Sequence, residues 1–145
     1  MSEKCDALKE EVWGHFKDYQ HIFLATSEED QPRVRPVTLV CLDKKFWILT
    51  GTKNAKTKQI QKNPKIEFCL LIKKGESEGY VRAAGLAKIV QDRKTKERLA
   101  KHCDFFSEHW KSPDDSNYTL IELKLAEIEY LGLNETVARK FILNV

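Results

Sequence analysis

Near the start of the chain, apolar residues fall at Leu8, Val12, Phe16 and Tyr19 with charged residues between them. That spacing predicts an amphipathic helix over Glu3 to Tyr19, packed on another layer. The pattern then changes to short apolar runs separated by turn residues, which is the signature of strands. His21–Thr26 (HIFLAT), Arg33–Leu42, Phe46–Thr50 (FWILT), Lys65–Lys73 (KIEFCLLIK), Tyr80–Gln91 and Tyr118 to about Leu133 are the predicted strands. The first two connections, at Ser27–Pro32 and Asp43–Lys45, are short enough for hairpins, so the sheet is expected to be antiparallel and in meander order.

Two helices interrupt the strands. Ala55 to Lys62 suits a short one, ended by Asn63-Pro64 because proline disfavours helical geometry in the residue before it. Asp92 is a plausible N-cap for a second helix from Arg93 to about Cys103, which Phe105–Trp110 extends after a bend. Gly85, inside a strand, marks a bulge or a close approach. The expectation is a mainly β chain with flanking helices, six antiparallel strands closing into a small barrel, and a single domain over 1–145. No repeat, linker or low-complexity segment suggests otherwise.

Composition narrows the classes. Apolar residues are 41% and charged residues 32% of the 145 positions, an ordinary globular balance. A net charge of +3 implies no polyanionic partner. Lys53, Lys56, Lys58, Lys62 and Lys65 form the densest basic region, but no exposed aromatics or reading helix accompany it, so no nucleic-acid partner is expected. The charged N-terminus lacks the apolar core of a signal peptide, and no apolar run approaches 18 residues. A cytoplasmic protein without a membrane span is the expectation. Cys5, Cys41, Cys69 and Cys103 are far apart and form no CxxC pair, which favours free thiols.

The stretch richest in chemistry joins two strands to the short helix. Arg33 and Arg35 share a strand face, since side chains at i and i+2 point the same way. Thr50-Gly-Thr-Lys-Asn-Ala-Lys-Thr57 adds hydroxyls, lysines and a helix N-terminus, whose free N–H groups favour anions. A phosphate clamp or a solvated lysine-rich helix beside an exposed strand would both produce this pattern.

QPRVRPV, then FWILTGTKNAKTKQIQKNPKIEF, GYVRAAGLAKIVQD and DDSNYTLIEL resemble the pyridoxamine 5′-phosphate oxidase-related FMN-binding split barrels, over roughly His21 to Leu133. The similarity is greatest to the general-stress flavin-binding branch, with QPRVRP nearest the NimA-type branch. The resemblance implies that Arg35 reaches the FMN phosphate, that the strand Pro36, Val37 and Thr38 borders the flavin ring, and that Leu49 and Thr50 end the third strand with the threonine near the phosphate. Lys56 matches the phosphate-binding lysine; Ala55 replaces a polar neighbour, for which Thr57 or Thr52 could compensate. Trp110 matches an aromatic that covers the ring from the other subunit of a homodimer, although an ordinary core or surface tryptophan fits equally.

Two departures bear on activity. Val40 stands near where true oxidases have a basic residue, and the ending Ala138–Val145 lacks their Arg-x-His motif. Pyridoxamine phosphate oxidation is therefore not expected, since function lives in the site and not in the fold. What the resemblance leaves is an FMN-dependent oxidoreductase with a possible NAD(P)H donor and no identifiable catalytic acid or base. A non-enzymatic flavin-binding stress protein, or the same fold holding F420 or haem, are the alternatives. His102-Cys103 with His109 is the one cluster with soft ligands, and no resident metal is expected.

Overall fold

The computed structural model describes residues 3–143, with side chains from Asp6 onward, so the Cys5 thiol lies outside what is described. In chain order the elements are α1 (Glu3–Trp13), β1 (Tyr19–Glu28), β2 (Gln31–Leu42), β3 (Lys45–Gly51) and α2 (Ala55–Lys62). There follow β4 (Lys65–Lys74), β5 (Ser77–Val90), α3 (Arg93–His102), a 3₁₀ turn (Phe106–Glu108), β6 (Tyr118–Leu131) and β7 (Arg139–Ile142).

The first helix ends six residues earlier than its spacing predicts. Gly14 closes it, and His15 and Phe16 continue in turns bonded to Val12 and Trp13. Tyr19 instead opens β1, opposite Val40, and its hydroxyl donates to the His102 carbonyl at 2.6 Å. Leu8, Val12 and Phe16 do pack on the core as the helical reading requires.

The sheet order is β3-β2-β1-β4-β5-β6-β7, and β3 also pairs with β6, so six strands close into a ring. All pairings are antiparallel, but the order is not a simple meander: β4 lies beside β1, after α2 carries the chain across. A seventh strand, absent from the sequence reading, adds to this ring. One edge of β6 pairs with β3 along Tyr118–Leu123 and with β7 along Glu127–Tyr130. β7 thus occupies the part of the edge that β3 leaves bare, and its Phe141 enters the core. With only four residues, two of them charged, it has no periodicity to betray it.

Gly85 meets both expectations made of it. The β5–β6 register shifts between Ala84 and Gly85, and a Cβ at Gly85 would stand 2.1 Å from the Lys124 carbonyl oxygen.

Two apolar layers fill the molecule. Inside the ring, Ile22, Leu24, Leu39, Ile48, Phe68, Val81, Ile121 and Ile128 pack together with Val12 of α1 and Ile60 of α2. Outside it, Val40, Trp47, Tyr118 and Leu120 pack under Leu99, Cys103, Phe106 and Trp110 of the α3 segment. β3 is covered on both faces, which explains its uninterrupted apolar run. Asp92 caps α3 as expected, accepting from the Thr95 N–H at 3.0 Å.

Candidate functional site

The site begins where two strands part. β2 pairs with β3 only through Leu42↔Lys45, Cys41↔Phe46 and Val40↔Trp47. Before Val40, β2 runs on beside β1 alone, and Pro36 has no N–H with which to extend the ladder. β3 stays paired with β6 from Phe46 to Gly51. A seam therefore opens between Pro36–Thr38 and Ile48–Gly51.

That seam is a cleft of about 440 Å³, lined by these strand residues together with Lys56, Phe105, His109 and Trp110. Its size falls within the roughly 300–1,000 Å³ typical of small-molecule sites. In recesses of about 510 and 550 Å³ elsewhere the lysines and arginine of the lining are all exposed, and each has a carboxylate beside them, Glu97 or Asp43. They lack the feature that marks this cleft, which is buried positive charge.

Lys56 is only 7% exposed, and its ammonium donates to Thr50 Oγ1 at 2.7 Å. An ammonium has three protons to donate, so one bond leaves donors uncommitted. Half-buried Arg35 points into the end of the ring, donating to Thr26 Oγ1 at 2.9 Å, Gln59 Oε1 at 2.8 Å and the Leu24 carbonyl at 3.3 Å. Thr26 in turn donates to Gln59, whose amide donates to Glu28 at 3.2 Å. Among the described residues no carboxylate pairs directly with Arg35 or Lys56. Burial lowers the pKa of both groups, and Arg35 lowers that of Lys56 further by repulsion. Two neighbouring cations, desolvated and without a counter-ion, are costly unless an anion joins them.

Not every expected group opens onto the cleft. Thr57 is buried and its hydroxyl donates to the Gly51 carbonyl at 3.0 Å. Thr52 bonds the Ser116 carbonyl and Thr119, both at 2.8 Å, so each hydroxyl already has a partner where Ala55 offers none. At the helix N-terminus the Lys56 N–H is taken by Asn54 Oδ1 at 3.2 Å. Arg33, on the same strand face as Arg35, is exposed and paired with Glu28 at 3.1 Å.

Trp110 enters the cleft from its own chain. It is 7% exposed, donates its indole N–H to the Asn117 carbonyl at 2.9 Å, and packs on Phe106 and Tyr118 with ring centroids 5.2 Å away. The loop behind it is held by Asp114, which accepts two bonds from Arg93, and by Asp115, which accepts the Asn117 and Lys111 N–H groups.

Phe105, His109, Ile48 and Gly51 also line the cleft and were not expected there. The sequence places His109 close to His102 and Cys103, but the fold separates them. His102 lies against Tyr19 with its Nε2 buried, Cys103 is in the outer core, and His109 is exposed at the cleft between Phe105 and Trp110. No three His, Cys, Asp or Glu residues among those described come together as a metal site. Neighbouring aromatic residues were the one sequence signal that could have moved His109 into the site.

The arrangement suits a ligand with an anionic group and a flat apolar body. Lys56 matches the anion, with Arg35 behind it, turned to Leu24, Thr26 and Gln59 and not among the residues that line the cleft; Val37 and Leu49 match the apolar walls, and the unpaired edge of β2 offers backbone hydrogen-bonding groups. A flavin mononucleotide has those parts.

No curated protein sequence matches the chain significantly. Among solved structures, a NimC/NimA family protein from Clostridium acetobutylicum is similar at a TM-score of 0.77 and 24% identity, covering 99% of this chain and 100% of that one. General stress protein 26 from Bacillus anthracis gives 0.74 and 23%, over 94% and 98% of the two chains. A haem-binding protein from Mycobacterium smegmatis gives 0.70 and 14%, over 85% of this chain and 53% of that one. At these identities the likeness is one of fold, the split barrel. The sequence itself matches the pyridoxamine 5′-phosphate oxidase profile over residues 8–132, a span that holds both the ring and the cleft, and the chain belongs to that family.

Proposed function

We propose that the protein is an FMN-binding oxidoreductase, with the cofactor phosphate at Lys56 and Arg35 and the ring between β2, β3 and Trp110. The observation that carries this reading is the pair of desolvated cations without a carboxylate beside an apolar cleft. When bound, the flavin supplies the redox chemistry, and the chain anchors the phosphate, excludes water from the ring and orients it. A reduced nicotinamide is the proposed electron donor, and pyridoxamine phosphate is not the proposed substrate.

The reading includes a homodimer. α3 and the 3₁₀ turn cover the outside of β3 and the end of β2, but the outside of β2, β1 and β4 is bare. There Val34, Phe23 and Leu71 are 69%, 45% and 63% exposed, and Phe23 lies directly opposite Pro36, which lines the cleft. An apolar surface continuous with a binding cleft is what a symmetric partner would bury.

The test is the absorption spectrum of the purified protein, repeated after FMN is added and the excess removed. Retained flavin at near one per chain supports the reading, and a protein that keeps no flavin overturns it. Arg35→Ala and Lys56→Ala should each weaken FMN by roughly ten- to a hundredfold, as expected for losing a charge-assisted bond worth about 1.5–3 kcal/mol. Riboflavin, which lacks the phosphate, should be nearly indifferent to both. A flavin retained without steady NAD(P)H turnover would make the protein a non-enzymatic flavin carrier.

One observation favours a second reading. His109 at the cleft could serve as an axial ligand, so haem is the alternative cofactor, recognised by an intense band near the violet end of the spectrum. F420 would be told from both by its own absorption.

A further inference from the structure

The cleft opens at one end of the β2–β3 pair, and the hairpin at the other end borders a second recess. There the end of α1 faces the hairpin, and Trp13, Phe16, Cys41, Phe46 and the turn Asp43–Lys45 line a pocket of about 550 Å³. Its residues are distinct from those of the cleft. Much of its wall is aromatic. The Trp13 ring centroid lies 5.6 Å from Phe16 and 5.9 Å from Phe46, and Phe16 lies 5.0 Å from Phe46. Their planes are inclined at 39–61°, so the rings do not stack on one another, and each keeps part of its surface accessible. Two donors beside them are uncommitted. Trp47 and Trp110 give their indole N–H groups to the Leu42 and Asn117 carbonyls, whereas Trp13 gives its own to no group among the described residues. The Lys44 ammonium has no ion pair among the described residues either, while the carboxylate next to it, Asp43, is held by two bonds from Arg98 at 2.7 and 2.8 Å.

We propose that this pocket is a second ligand site, and that it binds a small aromatic carboxylate. The flat ring lies among Trp13, Phe16 and Phe46, and the carboxylate lies at the Lys44 ammonium. Each part of the ligand answers an observation. A neutral aromatic would leave Lys44 unused, an aliphatic acid would forgo the ring contacts, and an aromatic cation would be repelled by Lys44 and Lys45. The volume falls within the range of small-molecule sites. Lys44 also sits at a φ of 60°, a left-handed turn position where a lysine costs stability. Strain of this kind is commonly kept where the side chain has a use. Nothing in the site depends on the flavin reading, because no residue of the cleft takes part.

The test uses 2-naphthoate as ligand, its neutral counterpart 2-naphthamide as control, and the whole chain. Cys41 lines the pocket and Cys69 and Cys103 do not, so alkylation of the native protein by iodoacetamide, read by peptide mass spectrometry, reports occupancy residue by residue. The Cys41 thiol is held up at about 11, so the reaction is run at alkaline pH. The expected result is that 2-naphthoate slows labelling of Cys41 severalfold and leaves Cys69 and Cys103 unchanged. Lys44→Gly, which removes the ammonium and suits the turn, should weaken 2-naphthoate about fivefold, as for an exposed ion pair, and leave 2-naphthamide unaffected. Lys56→Ala, which alters only the cleft, should keep the protection of Cys41. Unchanged Cys41 labelling at millimolar 2-naphthoate would overturn the proposal, and so would equal protection by 2-naphthamide or equal binding by Lys44→Gly. Protection lost in Lys56→Ala would place the ligand in the cleft and overturn it too.

Discussion

Lys56 shows how a single residue can be unfavourable for the fold and useful for a ligand. Its ammonium is desolvated, repelled by Arg35 and compensated by one hydroxyl, so its pKa lies below the ordinary lysine value. Between that lowered value and about 10.4 the unfolded chain holds a proton that the folded chain sheds. The Lys56 contribution to ligand-free stability should therefore rise with pH across that window, opposite in sign to the contribution of the raised Cys41 and Cys103 thiols. Lys56→Met should remove that contribution, stabilise the ligand-free protein by about 0.5–2 kcal/mol near pH 7, and weaken FMN to the same extent as Lys56→Ala. Thermal melts from pH 7 to 10.5, with and without FMN, check all three. The cysteines are the opposite case, since burial holds the Cys41 and Cys103 thiols up at about 11. Cys41, Cys69 and Cys103 are free, as their separation in the sequence suggested. At pH 8 roughly one in a thousand of the Cys41 and Cys103 thiols is ionised, so a disulfide reagent should modify them far more slowly in native protein than in denatured protein.

At the scale of elements, the β2–β3 hairpin turns on Asp43 and Lys44, with φ of 58° and 60°. Two consecutive left-handed residues make a type I′ turn, in which the second position favours glycine. Lys44→Gly should stabilise the protein by about 0.5–1 kcal/mol, since relief of the left-handed cost exceeds the entropy that glycine adds to the unfolded chain. Calorimetry should show a melting temperature raised by roughly 1–4 °C. Gly85 permits no such freedom. A methyl group there collides with the Lys124 carbonyl across the bulge, so Gly85→Ala should cost about 2 kcal/mol or more by denaturant unfolding. Strands with an apolar run or alternation were legible, and so were the Asp92 cap of α3 and the stop of α2 at Asn63-Pro64, though not the Asn54 cap of α2. β7 was not, because four residues with one buried side chain acquire strand geometry only from the edge of β6.

For the whole molecule, the cleft lies at the border between two halves of one sheet, one covered by α3 and the other bare. Within the proposed dimer, Phe23→Glu on the bare half should reduce the species seen by light scattering to the mass of one chain. It should also weaken FMN, because Phe23 faces Pro36 at the cleft. A variant that stays dimeric would place the interface elsewhere. No helix among the described residues is long and apolar enough to cross a membrane. Arg139–Ile142 and the Leu143 N–H pair with β6, and none of the described residues after β6 lines the cleft of this chain.

The residues that carry charge and apolarity could be read directly, because strand and helix periodicity, proline and glycine act locally. The stretches Arg33–Thr38 and Thr50–Thr57, and the barrel they belong to, stood out in this way, while Leu49 and the site roles of Arg35, Pro36–Thr38, Thr50 and Lys56 came from the family resemblance. Which of them meet was decided only in three dimensions. The parting of β2 from β3 depends on β3 pairing with β6, some seventy residues away in sequence. The same long-range pairing brings Phe105, His109 and Trp110 over the seam and Thr52 to the Ser116 carbonyl, whereas Thr57 bonds the nearby Gly51 carbonyl. Local sequence sets what a residue can do; closure of the ring determines which residues share a cleft, since that closure joins strands whose sequences do not encode each other.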